Sequence, residues 1–217
     1  MADSVESTGS AAPLLIACAL GIERFALRSG DHSDARGQVT VLRTGMGPAN
    51  AQRAVLAACG DGPLRDAAVI ASGFCAGLAA GMHPGDLVVA ERTRLAGAHT
   101  VCTHPELLVK ALARAVPGRT VHCGLLTGAD HVVRGHQRAE LLATGAIAVD
   151  MESAATLSGA LDAGPRPVAA VRVVVDAPEH ELVRIGTVRG GISAFRVLRA
   201  VLPAFLEWHR SLLLPRR

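Results

Sequence analysis

The sequence predicts an α/β fold in one domain, a mixed, mainly parallel β-sheet flanked by helices. Three observations predict it. Short β-branched or apolar runs recur along the chain, helical patterns separate several of them, and polar and glycine residues gather where the runs end. Runs that are apolar throughout fit a sheet covered on both faces. They fall at 13–19 (PLLIACA), 38–43 (QVTVLR), 67–72 (AAVIAS), 86–90 (DLVVA), 121–127 (VHCGLLT), 146–150 (AIAVD) and 167–176 (PVAAVRVVVD). Helical spacing appears at 48–59, 105–116, 136–144 and 152–163. No internal repeat or interdomain linker is visible. Residues 13–217 are therefore read as one domain, after a disordered, small-residue-rich lead over 1–12.

Composition narrows the function. The 217 residues are 50% hydrophobic, yet no stretch of about 18 apolar residues is free of Gly, Pro or charge, which argues against a membrane span. The lead lacks the basic region of a secretion signal, so a cytoplasmic protein is expected. Net charge is +3, and the aromatic residues are four Phe and one Trp. That is too few rings for a single-strand stacking platform, so no nucleic-acid partner is expected. Cys18, Cys59, Cys75, Cys102 and Cys123 lie far apart with no CxxC, which disfavours disulfides and metal sites and predicts buried free thiols. TGMGPANA carries a GxG before a helix but not the full dinucleotide fingerprint, and no phosphate-binding Walker loop occurs. No metal and no cofactor are expected.

In sheets of this kind, ligands gather beyond the carboxyl ends of the strands. The residues there are Glu23, Gly45–Gly47, Gly73–Gly77, His131, Asp150–Glu152 and Asp176. Asp176 ends an apolar segment, VRVVVDAP, where desolvation favours the protonated carboxyl and so a proton donor. The alternative is an N-cap or a turn acid before Pro178. Glu23 and Glu152 each fit the first turn of a helix, where the macrodipole favours a carboxylate. Met151 and His131 have core or surface readings as well. SGFCAGLAAGMHPGD (72–86) reads as a strand, a glycine-rich turn that permits close approach of a flat ligand, and PGD leading into another strand. Asp150 is expected to cap the helix that starts near Met151.

Taken together, Glu23, TGMG, SGFCAGLAAGMHPGDLVVA, VDMES and VRVVVD, in that order, resemble the purine nucleoside phosphorylase and nucleosidase superfamily over about residues 13–200. TGADHVVRGHQRAELLATGAIAVDMES and ISAFRVLRAVL look closest to its hopanoid-associated members. That resemblance implies cleavage of the N-glycosidic bond of a 5′-substituted adenosine, adenosylhopane in those members, with release of adenine.

It also implies roles. Asp176 matches the acid that protonates N7 of the purine, and Glu23 the carboxylate that activates water. Glu152 matches the ribose-hydroxyl ligand and Met151 the residue packed on the sugar. His131 and Val132 match the backbone segment at the adenine edge. Phe74 and Cys75 line the base region, Arg172 stands four before Asp176 as in nucleosidases, and Gly47 belongs to the substrate-binding glycine turn. The chemistry is coherent, since positive charge grows on the ribose as electrons flow into the base. A carboxylate at the hydroxyls and an acid at N7 both ease that separation.

Bacterial purine phosphorylases resembled by this chain carry an Arg and a Ser before the glycine turn, whereas here Ala71 and Phe74 occupy the aligned places. Lost charge-assisted hydrogen bonds, roughly 1.5–3 kcal/mol each, favour water over phosphate as nucleophile. Arg24, Arg43 and Arg94 keep phosphorolysis as the alternative. Methylthioadenosine, S-adenosylhomocysteine or futalosine are alternative substrates, and a non-catalytic nucleoside-binding module is the non-enzyme alternative.

Residues 191–217 place Phe195, Leu198, Leu202, Phe205 and Leu212 near one helical stripe with Arg196, Arg199, Arg210, Arg216 and Arg217 around it. The stripe reads as a final core-packing helix or as a peripheral contact with a membrane that holds a lipid-linked nucleoside. The resemblance further implies a homo-oligomer.

Overall fold

A computed structural model describes residues 12–177 and 187–213, and of 187–192 only the backbone. The lead expected to be disordered, and Arg216 and Arg217, lie outside the described residues, apart from Ala12.

The chain runs β1 (Leu14–Cys18), α1 (Gly21–Arg28), β2 (Val39–Arg43), α2 (Pro48–Gly60), β3 (Ala68–Gly77), β4 (Leu87–Leu95), β5 (Ala98–Val101), α3 (Pro105–Ala115), β6 (Val121–Gly128), α4 (His136–Ala143), β7 (Ala146–Asp150), α5 (Ser153–Asp162), β8 (Val168–Asp176), α6 (Thr187–Ala200) and α7 (Leu202–Leu212). It is the mixed α/β fold that the sequence predicts. β1 pairs in parallel with β2 and β3, β3 with β8, β4 with β6, and β6 with β7. β3–β7, β4–β5 and β4–β8 are antiparallel.

These pairings close a ring, β3–β8–β4–β6–β7 and back to β3. A closed ring leaves its strands without free edges. Two apolar layers cover the sheet. Leu14, Ile16, Ile70, Val171, Phe205 and Trp208 belong to one, and Leu15, Val69, Ala71, Val88, Leu157 and Ala170 to the other. Alternation along each strand sends successive side chains to opposite layers, so strands buried on both faces must be apolar throughout.

Four local readings differ from the sequence expectation. β3 runs through the glycine stretch read as a turn and ends at Gly77, because Gly73–Ala76 pair with β8 and Ala76–Gly77 with β7. β4 likewise continues to Leu95 through pairing with β5, a short and mostly exposed strand whose sequence AHTV carries no apolar signal. The C-terminal run divides at Val201 into α6 and α7, and Leu198, Leu202 and Phe205 of its stripe face the core. Trp208 donates its indole N–H to the Thr103 carbonyl at 2.9 Å, which fixes α7 against the loop before α3. Four cysteines are buried, as expected of free thiols, but Cys123 on β6 is exposed.

Candidate active site

The strand ends converge on one cavity of about 260 Å³, whose wall includes Ala19, Leu20, Glu23, Met46, Phe74, Cys75, His131, Val132, Arg138, Met151, Glu152 and Asp176. Most of the wall is apolar, and carboxylates stand at separated points on it.

Glu23 is set by the β1–α1 junction. It occupies the first turn of α1 and is 2% exposed. Its Oε2 accepts the backbone N–H of Ala19 at 3.0 Å and of Leu20 at 2.8 Å, and its Oε1 accepts the N–H of Phe74 at 2.8 Å. The helix-start reading of Glu23 is thus correct locally, and the carboxylate reaches across to β3 as well. Buried charge of this kind persists only when donors surround it. Gly73 makes the approach possible. Its φ is +139°, and a Cβ there would lie 2.6 Å from Arg172 Nη1 and overlap the Glu23 carboxylate.

Behind Glu23 lies Arg172, 1% exposed on β8. Its Nε is 2.6 Å from Asp150 Oδ2 and donates to Ser153 Oγ at 2.8 Å, while Nη1 donates to the Ser72 carbonyl at 3.0 Å. Arg172 does not line the cavity. It backs the wall, its guanidinium neutralising Asp150 and lying within electrostatic reach of Glu23 and Glu152. Asp150 also accepts the N–H of Ser153 at 3.2 Å, so it supports the first turn of α5 from two residues before the N-cap position, which Glu152 occupies instead.

Glu152 precedes α5 and is 8% exposed. Its Oε1 accepts the N–H of Gly47 at 2.9 Å, so two segments 105 residues apart are joined at the cavity. Gly47 adopts φ +89° just before α2, a conformation glycine holds without strain. It contributes that N–H while Met46 supplies the wall. Burial raises the Glu152 carboxyl above its ordinary range, opposed first by the positive charge of Arg172.

Asp176 ends β8. In place of the apolar surround expected from VRVVVD, it meets a guanidinium: Arg138 Nη2 forms an ion pair with Oδ2, and Nη1 donates to Oδ1 at 3.4 Å. Arg138 comes from the first turn of α4, is 7% exposed, and donates Nε–H to the Val133 carbonyl at 3.3 Å. It therefore links Asp176 to the 131–133 segment. Sequence reasoning missed Arg138, since nothing in GHQRAELL signals a partner 38 residues later.

His131 and Val132 both line the cavity but are largely exposed. The His131 Nδ1 lies 2.6 Å from Asp130 Oδ1, and that hydrogen bond raises the imidazole above its ordinary value. Phe74 and Cys75 stand on the wall, and burial pushes the Cys75 thiol up, which makes it inert packing rather than a nucleophile. Met151 lines the cavity between the two acids of VDMES.

The arginines considered for phosphate lie elsewhere. Arg94 donates to Thr127 Oγ1 at 3.4 Å and to Thr144 Oγ1 at 2.5 Å. Arg24 and Arg43 line a separate basin across α1. Ala71 is fully buried. Among the described residues, Arg138 is the one guanidinium on the cavity wall, and Asp176 engages it.

Carboxylates from separate strand ends of a mixed α/β sheet thus line one cavity. Residues 22–203 match the family model of the phosphorylase superfamily, and the chain belongs to that superfamily. Solved structures of similar fold include a 5′-methylthioadenosine/S-adenosylhomocysteine nucleosidase from Neisseria meningitidis in complex with methylthio-immucillin-A (19% identity, TM-score 0.75, 92% of this chain and 99% of that one). An S-adenosylhomocysteine nucleosidase from Streptococcus pyogenes in complex with 5-methylthiotubericidin is another (22% identity, TM-score 0.74, 93% and 98%). No curated protein gives a match.

Proposed function

We propose that the protein is a purine nucleosidase that hydrolyses the N-glycosidic bond of an adenosine bearing an apolar 5′ substituent and releases adenine. The observation that carries this reading is the presence of Glu23, Glu152 and Asp176 on the wall of one cavity. Glu23 activates water, Glu152 holds the ribose hydroxyls, and Asp176 hands a proton to N7 of the leaving base. Met151 packs on the sugar, Phe74 and Cys75 flank the base, and the 131–133 backbone meets its edge. Arg172 acts from behind by fixing Asp150 and compensating the charge of the floor.

The geometry supports a division of labour. Glu23 has both oxygens oriented by backbone donors, so a water on its remaining lone pairs faces a fixed acceptor. Arg138 touches both oxygens of Asp176, so delivery of a proton requires that one oxygen be freed. The same guanidinium then stabilises the carboxylate left after transfer.

Water is favoured as nucleophile because Arg138 is already engaged and Glu23 would repel an anion beside it. An apolar substituent is favoured because Leu20, Met46 and Val132 line the same cavity. Relatives of the fold bound to methylthio-substituted inhibitors support a 5′-thioether nucleoside, and the hopanoid-like motifs support a lipid-linked one. We assign the protein to the cytoplasm, and to a homo-oligomer by family habit. The test is release of free adenine from methylthioadenosine and from adenosylhopane, with phosphate present and absent. Equal rates in both buffers are expected. Strict phosphate dependence overturns hydrolysis, and no adenine from either substrate overturns the reading.

A further inference from the structure

Helix α1 has two working faces. Glu23, Ala26 and Leu27 point inward, and Glu23 lines the cavity described above. The outer face carries Ile22, Arg24, Phe25 and Arg28, with Ile22 55% and Phe25 66% exposed. Arg24, Phe25 and Arg28 join Arg43, from the end of β2, around a second basin of about 420 Å³. One eight-residue helix is thus the partition between a nucleoside-sized cavity and an arginine-lined basin.

Helix α6 extends this face. The ring of Phe195 stacks on Phe25, with centroids 6.0 Å apart and planes at 25°. Arg199 Nε donates to the Ser29 carbonyl at 3.0 Å, which sets another exposed guanidinium at the end of α1. Arg24, Arg28, Arg43 and Arg199 have no ion pair with an acid among the described residues. Asp31 and Asp34 follow on the next loop, where Asp31 Oδ1 accepts the N–H of Ser33. The face is therefore cationic, with exposed Phe25 among the arginines and exposed Ile22 one turn before it at the margin.

We propose that this α1–α6 face docks on an anionic bilayer. Arginines around a solvent-facing phenylalanine, with an exposed isoleucine beside it, match a surface of lipid phosphates over acyl chains, because headgroups satisfy the guanidinium forks while the apolar groups enter the interface. A free phosphate ion accounts for the arginines alone and leaves the exposed ring and isoleucine unexplained. The assignment rests on the nucleosidase reading only for its purpose. A lipid-linked nucleoside would reach the cavity from the membrane side of α1 without its tail crossing water. Leu198, Leu202 and Phe205 of the C-terminal stripe pack in the core, which leaves the α1–α6 face as the surface offered to lipid.

The test is co-sedimentation of the full chain with vesicles of phosphatidylcholine alone and of phosphatidylcholine mixed with phosphatidylglycerol, with no nucleoside present. Binding only to the mixed vesicles, weakened by added salt, is expected. Each arginine near an anionic surface is worth about fivefold in partitioning, so Arg24→Glu/Arg28→Glu is expected to lose well over tenfold. Phe25→Ser is expected to weaken binding at unchanged charge, and Arg43→Glu repeats the charge test from β2.

Equal binding to both vesicles, or no binding to either, overturns the proposal. So does suppression of binding by inorganic phosphate that is not matched by sodium chloride at equal ionic strength, which marks a small-anion site. Self-association through this face that excludes vesicles also overturns it. Because vesicle binding is read without turnover, absent adenine release sinks only the nucleosidase reading, and absent vesicle binding sinks only this one.

Discussion

Glu23 and Asp176 line the same cavity, yet their surroundings differ. Glu23 accepts three backbone N–H groups and has the buried Arg172–Asp150–Ser153 cluster at its back, with Gly73 as the gap that admits it. Asp176 sits at a strand terminus, 14% exposed, and is held by one arginine from a short helix. The first arrangement cannot relax without breaking sheet and helix contacts. The second changes state when one side chain moves. A carboxylate that orients water gains from a fixed position, whereas a carboxyl that gives and regains a proton needs a partner that can let go.

Four changes break or sharpen that contrast, from the largest expected effect to the smallest. Asp176→Asn is expected to keep the fold and to lower adenine release by about 10²–10⁴-fold, the usual worth of a general acid. Near-normal turnover in that variant refutes the proton-donor role. Arg172→Met leaves Asp150 buried without its counter-charge. It is expected to destabilise the protein by about 3–5 kcal/mol in urea denaturation, as removal of one partner of a buried pair does. An unchanged midpoint would mean that the floor is not held by that pair.

Arg138→Met removes charge-assisted bonds worth roughly 1.5–3 kcal/mol, so kcat/KM is expected to fall roughly tenfold to a hundredfold. The same change in an Asp176→Asn background is expected to cost almost nothing further, since the two residues act as a unit. Additive losses would separate Arg138 from Asp176.

The smallest effect tests a region remote from the cavity. Burial lowers His209 below its ordinary value of 6.5, with the Ala12 and Pro13 carbonyls pulling the other way. A base with a depressed folded value binds protons more weakly than the unfolded chain. Stability present above pH 6.5 is then lost as pH falls through that value towards the folded one. His209→Phe is expected to flatten this acid dependence in thermal melts between neutral and mildly acidic pH, with adenine release at neutral pH little changed.

How much of this was legible in the sequence follows from range. β1, β2, β6, β7 and β8 were readable to within a residue or so because both faces or one face of each demand apolar side chains. β5 was invisible because AHTV is a mostly exposed edge, and the extension of β3 through SGFCAG depends on partners far along the chain. Glu23, Glu152 and Asp176 were legible as acids closing apolar runs, and the structure brings all three to one wall. Arg138 was not, since its meaning comes from α4 packing beside the end of β8. Arg172 was singled out for its spacing from Asp176, but only the fold places it behind the wall rather than on it. The C-terminal stripe kept two readings in the sequence, because helical periodicity identifies an apolar face without saying what covers it.

The ring of strands has a consequence for synthesis. Among the described residues β8 is the last strand made, and it fills the slot between β3 and β4. Until residues 168–176 leave the ribosome, the facing flanks of β3 and β4 stay open, with hydrogen-bonding groups unpaired and neighbouring apolar layers uncovered. A nascent chain halted before Val168 therefore carries two adhesive edges.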